Sequence, residues 1–362
     1  MKLRETSHIG QTDRMGSDLS SDHSSQAAGH QRLPIERLRR WRGLKYGMFC
    51  HYGLYTYSDE VVANPSPSLH APDRLDVGQW VRVARDAGMR YMILSAKHIN
   101  DAGFALWPTR TTDFNITRSP VNTDIIGAFV SACEKHGVKP ALYLGGDTHR
   151  FGLGQVNNAA SGEFFYVTRE YLDYFKDQLT ELLAWYGPIE EVWIDGPRKF
   201  GVAGRAEICA HVGSLQPDTV VAMNGAFRTG GKGAEVKPLA WPSDLVVVEL
   251  SVPPIWGTGR EERCSWRALP WGPMGEPVDQ PLHYYMPMEC CILGHTGGWF
   301  WGPNAQPRTV EELLGIRLLC HARNANCVLN FPPDRRGLIP EAYARLLGEV
   351  RQRWESLGVP ED

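Results

Sequence analysis

Asp195 closes the run Ile189-Glu190-Glu191-Val192-Trp193-Ile194-Asp195, an apolar stretch of strand length, and Gly196-Pro197 follows at once. A carboxylate held at the tip of a buried strand can attack an electrophilic carbon or activate water. A helix N-cap or a buried ion pair is the structural alternative. Strand alternation puts Trp193 and Asp195 on one face. Other predicted strands also end in polar residues. His51, in Cys50-His51-Tyr52-Gly53, offers an imidazole that can hydrogen-bond a hydroxyl or simply cap a loop. Lys97 and His98 suit recognition of hydroxyl oxygens, stabilisation of an anion, or a salt bridge to a neighbouring strand. Asp147, after Gly145-Gly146, reads as a turn residue.

Glycosidic chemistry needs a second acid, which protonates the leaving oxygen while the first attacks. Glu249, in Val246-Val247-Val248-Glu249-Leu250, and Glu289, in Met288-Glu289-Cys290-Cys291, both lie in apolar surroundings that would raise a pKa. Glu190 and Glu191 begin their strand and read as solvated. The chain carries no HxH pair, HExxH, Cys/His ligand cluster, GxSxG elbow, P-loop or GxGxxG. No metal and no cofactor are therefore expected.

These side chains need a scaffold that brings strand ends together. Strands are predicted at 45–51, 90–96, 139–144, 189–195, 219–223, 244–250, 286–293 and 326–331. Helices are predicted at 35–42, 77–87, 124–136, 163–185, 203–214, 309–323 and 340–356. A Pro/Gly/Trp-rich loop is read over 251–281. Eight strands alternating with helices fit a single α/β (β/α)8 barrel over residues 34–362, in which polar residues at C-terminal strand tips face the reaction. Residues 1–33 are polar, lack periodicity and read as a disordered tail.

The 362 residues are 43% hydrophobic, enough for one large core, and the formal charge of -3 gives no field favouring nucleic acid or an anionic membrane. The eight Cys lie mostly in apolar runs without ligand spacing and read as free buried thiols. No signal peptide or membrane span is seen, so the expected compartment is the cytoplasm.

The strand ends, in this order, resemble glycoside hydrolase family 29, the α-L-fucosidases. Tyr46-Gly47-Met48-Phe49-Cys50-His51-Tyr52-Gly53 is similar to the family's FGxFxHWG. Ala96-Lys97-His98, then Gly103-Phe104-Ala105-Leu106-Trp107-Pro108 and Thr112-Asp113-Phe114-Asn115, are similar to its AKHHDGFxLWPSxxTDWN. Val192-Trp193-Ile194-Asp195-Gly196 is similar to its xxWFDG, and Asn324–Pro340 to its GGNxLLNIGPxxDGxIP. The similarity spans roughly residues 39–357.

The resemblance implies a retaining mechanism with Asp195 as nucleophile. Glu289 is the first choice for acid/base because Met288-Glu289-Cys290 is similar to the family's WExC phrase, and Glu249 is the second. His51, His98, Lys97, Tyr143 and Trp193 would line the substrate, with Trp107 at the sugar's apolar edge or in the core. The implied substrate is an α-L-fucoside or a related deoxysugar or L-sugar glycoside, such as a glycosylated small molecule; a homo-oligomer stays open. Departures bear on the sugar. The second His of His-His-Asp-Gly-Phe is missing from the longer loop His98–Phe104, Tyr143-Leu144-Gly145 stands for Tyr-Tyr-Ser, and Met288 stands for Trp. The family's common C-terminal β-sandwich is also not expected here. A non-hydrolytic sugar-binding protein, or a barrel enzyme of different chemistry, is the competing expectation.

Overall fold

A computed structural model describes residues 29–58, 65–146, 167–225, 240–250 and 265–360. Eight parallel strands form one barrel-shaped sheet. They are β1 (Tyr46–Cys50), β2 (Tyr91–Lys97), β3 (Lys139–Gly145), β4 (Glu191–Asp195), β5 (Val220–Met223), β6 (Val246–Glu249), β9 (Met288–Leu293) and β10 (Asn326–Asn330). The spatial order is β5-β4-β3-β2-β1-β10-β9-β6. The fold is thus a (β/α)8 barrel, as its strand and helix alternation predicts. The last seam, β5 to β6, is joined by side chains. The Val221 N–H donates to Asp244 Oδ2 at 2.7 Å, and the Met223 N–H to Ser243 Oγ at 3.1 Å.

Helices α2 (Val77–Asp86), α3 (Ile125–His136), α4 (Arg169–Trp185), α5 (Gly201–Leu215), α6 (Val310–Ala322) and α7 (Glu341–Ser356) follow β1 to β4, β9 and β10. Their starts follow from capping chemistry. Asp76, Asp124 and Thr168 accept the N–H groups of Gln79, Gly127 and Tyr171, and Thr309 with Glu312 forms a capping box. The sequence between β6 and β9, expected to be a loop up to 281, instead contains an antiparallel hairpin of β7 (Trp266–Trp271) and β8 (Pro277–Tyr285). Alternating positions and a Gly-containing turn suffice for a hairpin, and the high Pro and Gly content hid it. No helix among the described residues is long and apolar enough to cross a membrane.

Alternation sorts the strands into two cores. Met92, Leu94, Leu142, Val192 and Ile194 face the helices, whereas Phe49, Tyr91, Ile93, Tyr143, Trp193, Val247, Cys291 and Val328 fill the barrel. The first helix, α1 (Ile35–Arg42), plugs the barrel floor with Leu38 and Trp41, both fully buried. The tail boundary expected at 33 needs correcting. Gln31 exchanges two 2.7 Å bonds with the Tyr285 backbone, Arg32 pairs with Asp244, and Leu33 is buried. The seven described cysteines are free and buried; Cys264 and Asp147 lie outside the described residues.

Candidate active site

Three inward positions on adjoining strands meet at the C-terminal mouth. On β4, Glu191, Trp193 and Asp195 share the inner face, so Asp195 stands one layer above Trp193 and two above Glu191. On β5 the same alternation runs from Val220 through Ala222 to Asn224, and on β6 from Leu245 through Val247 to Glu249. The Asn224 side-chain nitrogen lies 2.9 Å from Asp195 Oδ1 and 2.9 Å from Glu249 Oε2. The two carboxylate oxygens are therefore no more than twice 2.9 Å, or 5.8 Å, apart.

Asp195 is half-buried and held from three sides. The Gly196 N–H and Asn224 donate to Oδ1, and the Tyr143 hydroxyl donates to Oδ2 at 2.7 Å. Burial, with the nearby Asp195 charge, pushes the Tyr143 phenol well above its ordinary range, so it stays a donor. Glu249 ends β6 at the exposed rim. Desolvation by surrounding protein raises its carboxyl pKa and the Asp195 charge adds to this, while the Asn224 bond opposes it. A carboxyl biased toward its protonated form beside an ionisable partner is the arrangement an acid/base pair requires.

Two imidazoles complete the wall. His98 stacks on Tyr143 with centroids 5.0 Å apart, and His51 meets His98 edge-on at 5.2 Å. Burial lowers both, His98 to about 3 and His51 well below its usual value, so both are neutral. The bonding network assigns their tautomers. His98 Nδ1 accepts the Asn100 N–H, which leaves its proton on Nε2 as a donor. His51 Nδ1 contacts Asn330 Oδ1 at 2.7 Å, and the Asn330 amide nitrogen is spent on the Trp299 carbonyl. Asn330 thus accepts, His51 Nδ1 donates, and His51 Nε2 is left as an acceptor. One donor and one acceptor side by side match a hydroxyl group.

Several expected site residues lie elsewhere. Glu289 is not at the mouth. It pairs in register with Asn326 at the start of β10, whereas the mouth residue Asn330 is level with Leu293. It is fully buried and accepts from Tyr91 Oη at 2.8 Å and Trp193 Nε1 at 3.0 Å. Trp193 therefore sits one layer below the opening, stacked under Tyr143 at 5.3 Å. Glu191, expected to be solvated, is sealed in the floor by Trp41, whose Nε1 donates to it at 2.9 Å. Glu190 is ion-paired with Arg37 at 2.7 Å.

Lys97 points out of the barrel. A register shift between Ser95 and Lys97 breaks the alternation, turning Lys97 toward α4 and His98 inward. Its ammonium donates to Gln178 at 2.7 Å and lies over the Tyr174 and Phe175 rings. Trp107 is fully buried and donates to Glu181 at 2.9 Å, a core role. Sequence reasoning missed Asn224, Asn330 and Trp299. The first two carried a signal, a polar residue at the inward end of an alternating strand.

Comparison with known proteins agrees with this architecture. A family model for alpha-L-fucosidase matches residues 64–210. Alpha-L-fucosidase 1 of Arabidopsis thaliana is 28% identical over 337 residues, covering 90% of this chain and 61% of its own length. The solved structure of a glycoside hydrolase 29 family member from an unknown rumen bacterium superposes with a TM-score of 0.65 at 26% identity. That match covers 90% of this chain and 57% of the other. The chain is thus similar to α-L-fucosidases in sequence and in fold, at less than 30% identity. For the fold alone, alpha-L-fucosidase isoenzyme 1 from Paenibacillus thiaminolyticus gives a TM-score of 0.66 at 24% identity, over 90% of this chain and 76% of that one. The chain spans about three fifths of the length of the curated relatives it matches. The matched family span takes in Asp195 and ends before Asn224 and Glu249.

Proposed function

We propose that this chain is a retaining α-glycosidase acting on α-L-fucosides or a related deoxysugar or L-sugar glycoside. Asp195 is the nucleophile and Glu249 the acid/base. The observation that carries the reading is the Asn224 amide shared by both carboxylates, which holds Asp195 Oδ1 and Glu249 Oε2 within 5.8 Å of each other. Retaining pairs stand about 5–5.5 Å apart and inverting pairs about 6.5–9.5 Å.

In the first step an Asp195 oxygen attacks the anomeric carbon while the Glu249 proton passes to the glycosidic oxygen. The carbon–oxygen bond breaks and the aglycone leaves as an alcohol. In the second, Glu249, now a carboxylate, takes a proton from water, and the water oxygen displaces Asp195 from the sugar. Two inversions give net retention. His51 and His98 present an acceptor and a donor nitrogen to a sugar hydroxyl. The similarity to α-L-fucosidases supports the choice of sugar.

The test is a panel of p-nitrophenyl glycosides, with the first-formed product followed by proton NMR. The expected result is hydrolysis of the α-L-fucoside with the α-anomer appearing first. A β-anomer would overturn retention. Binding without turnover of any glycoside would favour a non-hydrolytic sugar-binding protein.

A further inference from the structure

Asn224 has one amide group facing two carboxylates, and the bonds on the four carboxylate oxygens are unequal. An amide NH2 carries two hydrogens, so Asn224 can donate to Asp195 Oδ1 and Glu249 Oε2 at once. Asp195 Oδ1 also accepts the Gly196 N–H at 2.8 Å, whereas Oδ2 has only the Tyr143 hydroxyl among the described residues. Resting on the glycosidase reading above, we infer that Asn224 is a positioning residue that decides which oxygen of each acid reacts. Asp195 attacks through Oδ2, and Glu249 carries its proton on Oε1.

Attack turns one Asp195 oxygen into an ester oxygen, a poor acceptor, and leaves the other as a carbonyl. If Oδ2 attacks, the Gly196 and Asn224 bonds stay on the carbonyl oxygen, and only the Tyr143 bond is weakened. If Oδ1 attacks, two N–H donors are left facing the ester oxygen, which costs the most where water is excluded. On Glu249, an oxygen that already accepts an N–H is the poorer place for a proton. The proton is therefore directed to Oε1, free to meet the leaving oxygen. After transfer, the same Asn224 bond stabilises the new carboxylate and keeps it ready as a base.

The groups whose charge bears on Glu249 are Asp195, facing it from β4, and Tyr143 and Cys291, whose own ionisation it opposes from β3 and β9. His51 and Tyr143 are the titratable neighbours of Asp195. None of these replaces an amide donor, so its loss removes the bond that favours the Glu249 carboxylate and raises the Glu249 pKa further. The experiment compares wild type, Asn224→Ala and the near-isosteric Asn224→Asp, with folding checked by near-ultraviolet circular dichroism. Each is assayed across pH on p-nitrophenyl and methyl α-L-fucosides.

The expected result is a loss of kcat/KM of about 10–100-fold, the size of a hydrogen bond to a charged group. The Glu249 limb of the pH profile moves to higher pH, and the loss is larger for the methyl glycoside, which needs its leaving oxygen protonated. If Asn224→Ala does not fold, Asn224→Asp supplies the same limb shift. A Glu249 limb that stays at its wild-type position in a folded variant, whatever the rate loss, overturns the inference. Failure of the wild type to hydrolyse any glycoside overturns the glycosidase reading beneath it, so the two failures are told apart.

Discussion

The described barrel holds a pair of carboxyl groups at each end, and the two pairs share a functional group but not an environment. At the mouth, Asp195 and Glu249 are bridged by a primary amide and open to substrate. At the floor, Glu191 and Glu289 are fully buried, capped by Trp41, Tyr91 and Trp193 donors, with no cation paired to either among the described residues. β4 contributes to both pairs, through Glu191 and Asp195 four residues apart on one face. Height along the strand therefore decides role. Burial biases a carboxyl at the floor toward its neutral, hydrogen-bonded form, and a carboxyl at the rim is within reach of substrate.

The largest expected effect breaks the mouth pair. Asp195→Ala should lower kcat on p-nitrophenyl α-L-fucoside by on the order of 10⁴-fold or more. Substrate affinity, measured by calorimetry, should persist. A variant keeping a tenth of wild-type turnover would move the nucleophile elsewhere.

The comparison sharpens when the two candidate acids are exchanged for amides. Glu249→Gln should lose about 10²–10⁴-fold in kcat on a methyl glycoside, the usual contribution of a general acid. Glu289→Gln should change kcat less than about tenfold but cost roughly 1–3 kcal/mol of stability, since one buried donor then faces an NH2 group. The reverse ranking in steady-state kinetics would restore Glu289 as the acid.

The floor pair has its own signature in pH. Burial pushes Glu289 up to about 7 from an ordinary 4.5, and Glu191 is raised by burial and by the Glu289 charge. Folding therefore retains a proton that the unfolded chain releases. The contribution of Glu289 is fullest below pH 4.5 and falls as pH rises to about 7. Its slope is at most about 1.4 kcal/mol per pH unit for one proton. Urea unfolding at a series of pH values should show this fall in the wild type and a shallower one in Glu289→Gln. Equal slopes would mean that the floor pair takes up no proton.

The smallest effect concerns Trp107. Trp107→Phe should cost about 1 kcal/mol through the lost bond to Glu181 and leave KM unchanged. A large rise in KM would return Trp107 to the sugar site.

Which parts of this were legible in the sequence follows from the range of the forces involved. Asp195 was readable because an apolar strand ending in Asp-Gly-Pro is a local pattern. The eight strands were readable for the same reason. Glu289 was misplaced because the height of a residue in a barrel depends on register against the neighbouring strand, here Asn326 of β10, and one strand alone does not contain that information. Lys97 and His98 exchanged faces at a single irregularity between β2 and β3. Glu191 seemed a solvated strand start because nothing local indicates that α1 folds beneath the barrel and covers it with Trp41. Asn224 was passed over because its importance lies in two partners, 29 and 25 residues away.

The most direct test is covalent capture. Incubation with a 2-deoxy-2-fluoro-α-L-fucosyl donor bearing a good leaving group, followed by proteolysis and mass spectrometry, should place one sugar on the peptide containing Asp195. Asp195→Ala should take up none. A sugar on another residue, or steady hydrolysis of the probe with no adduct formed, would contradict the assignment of Asp195 as the attacking group.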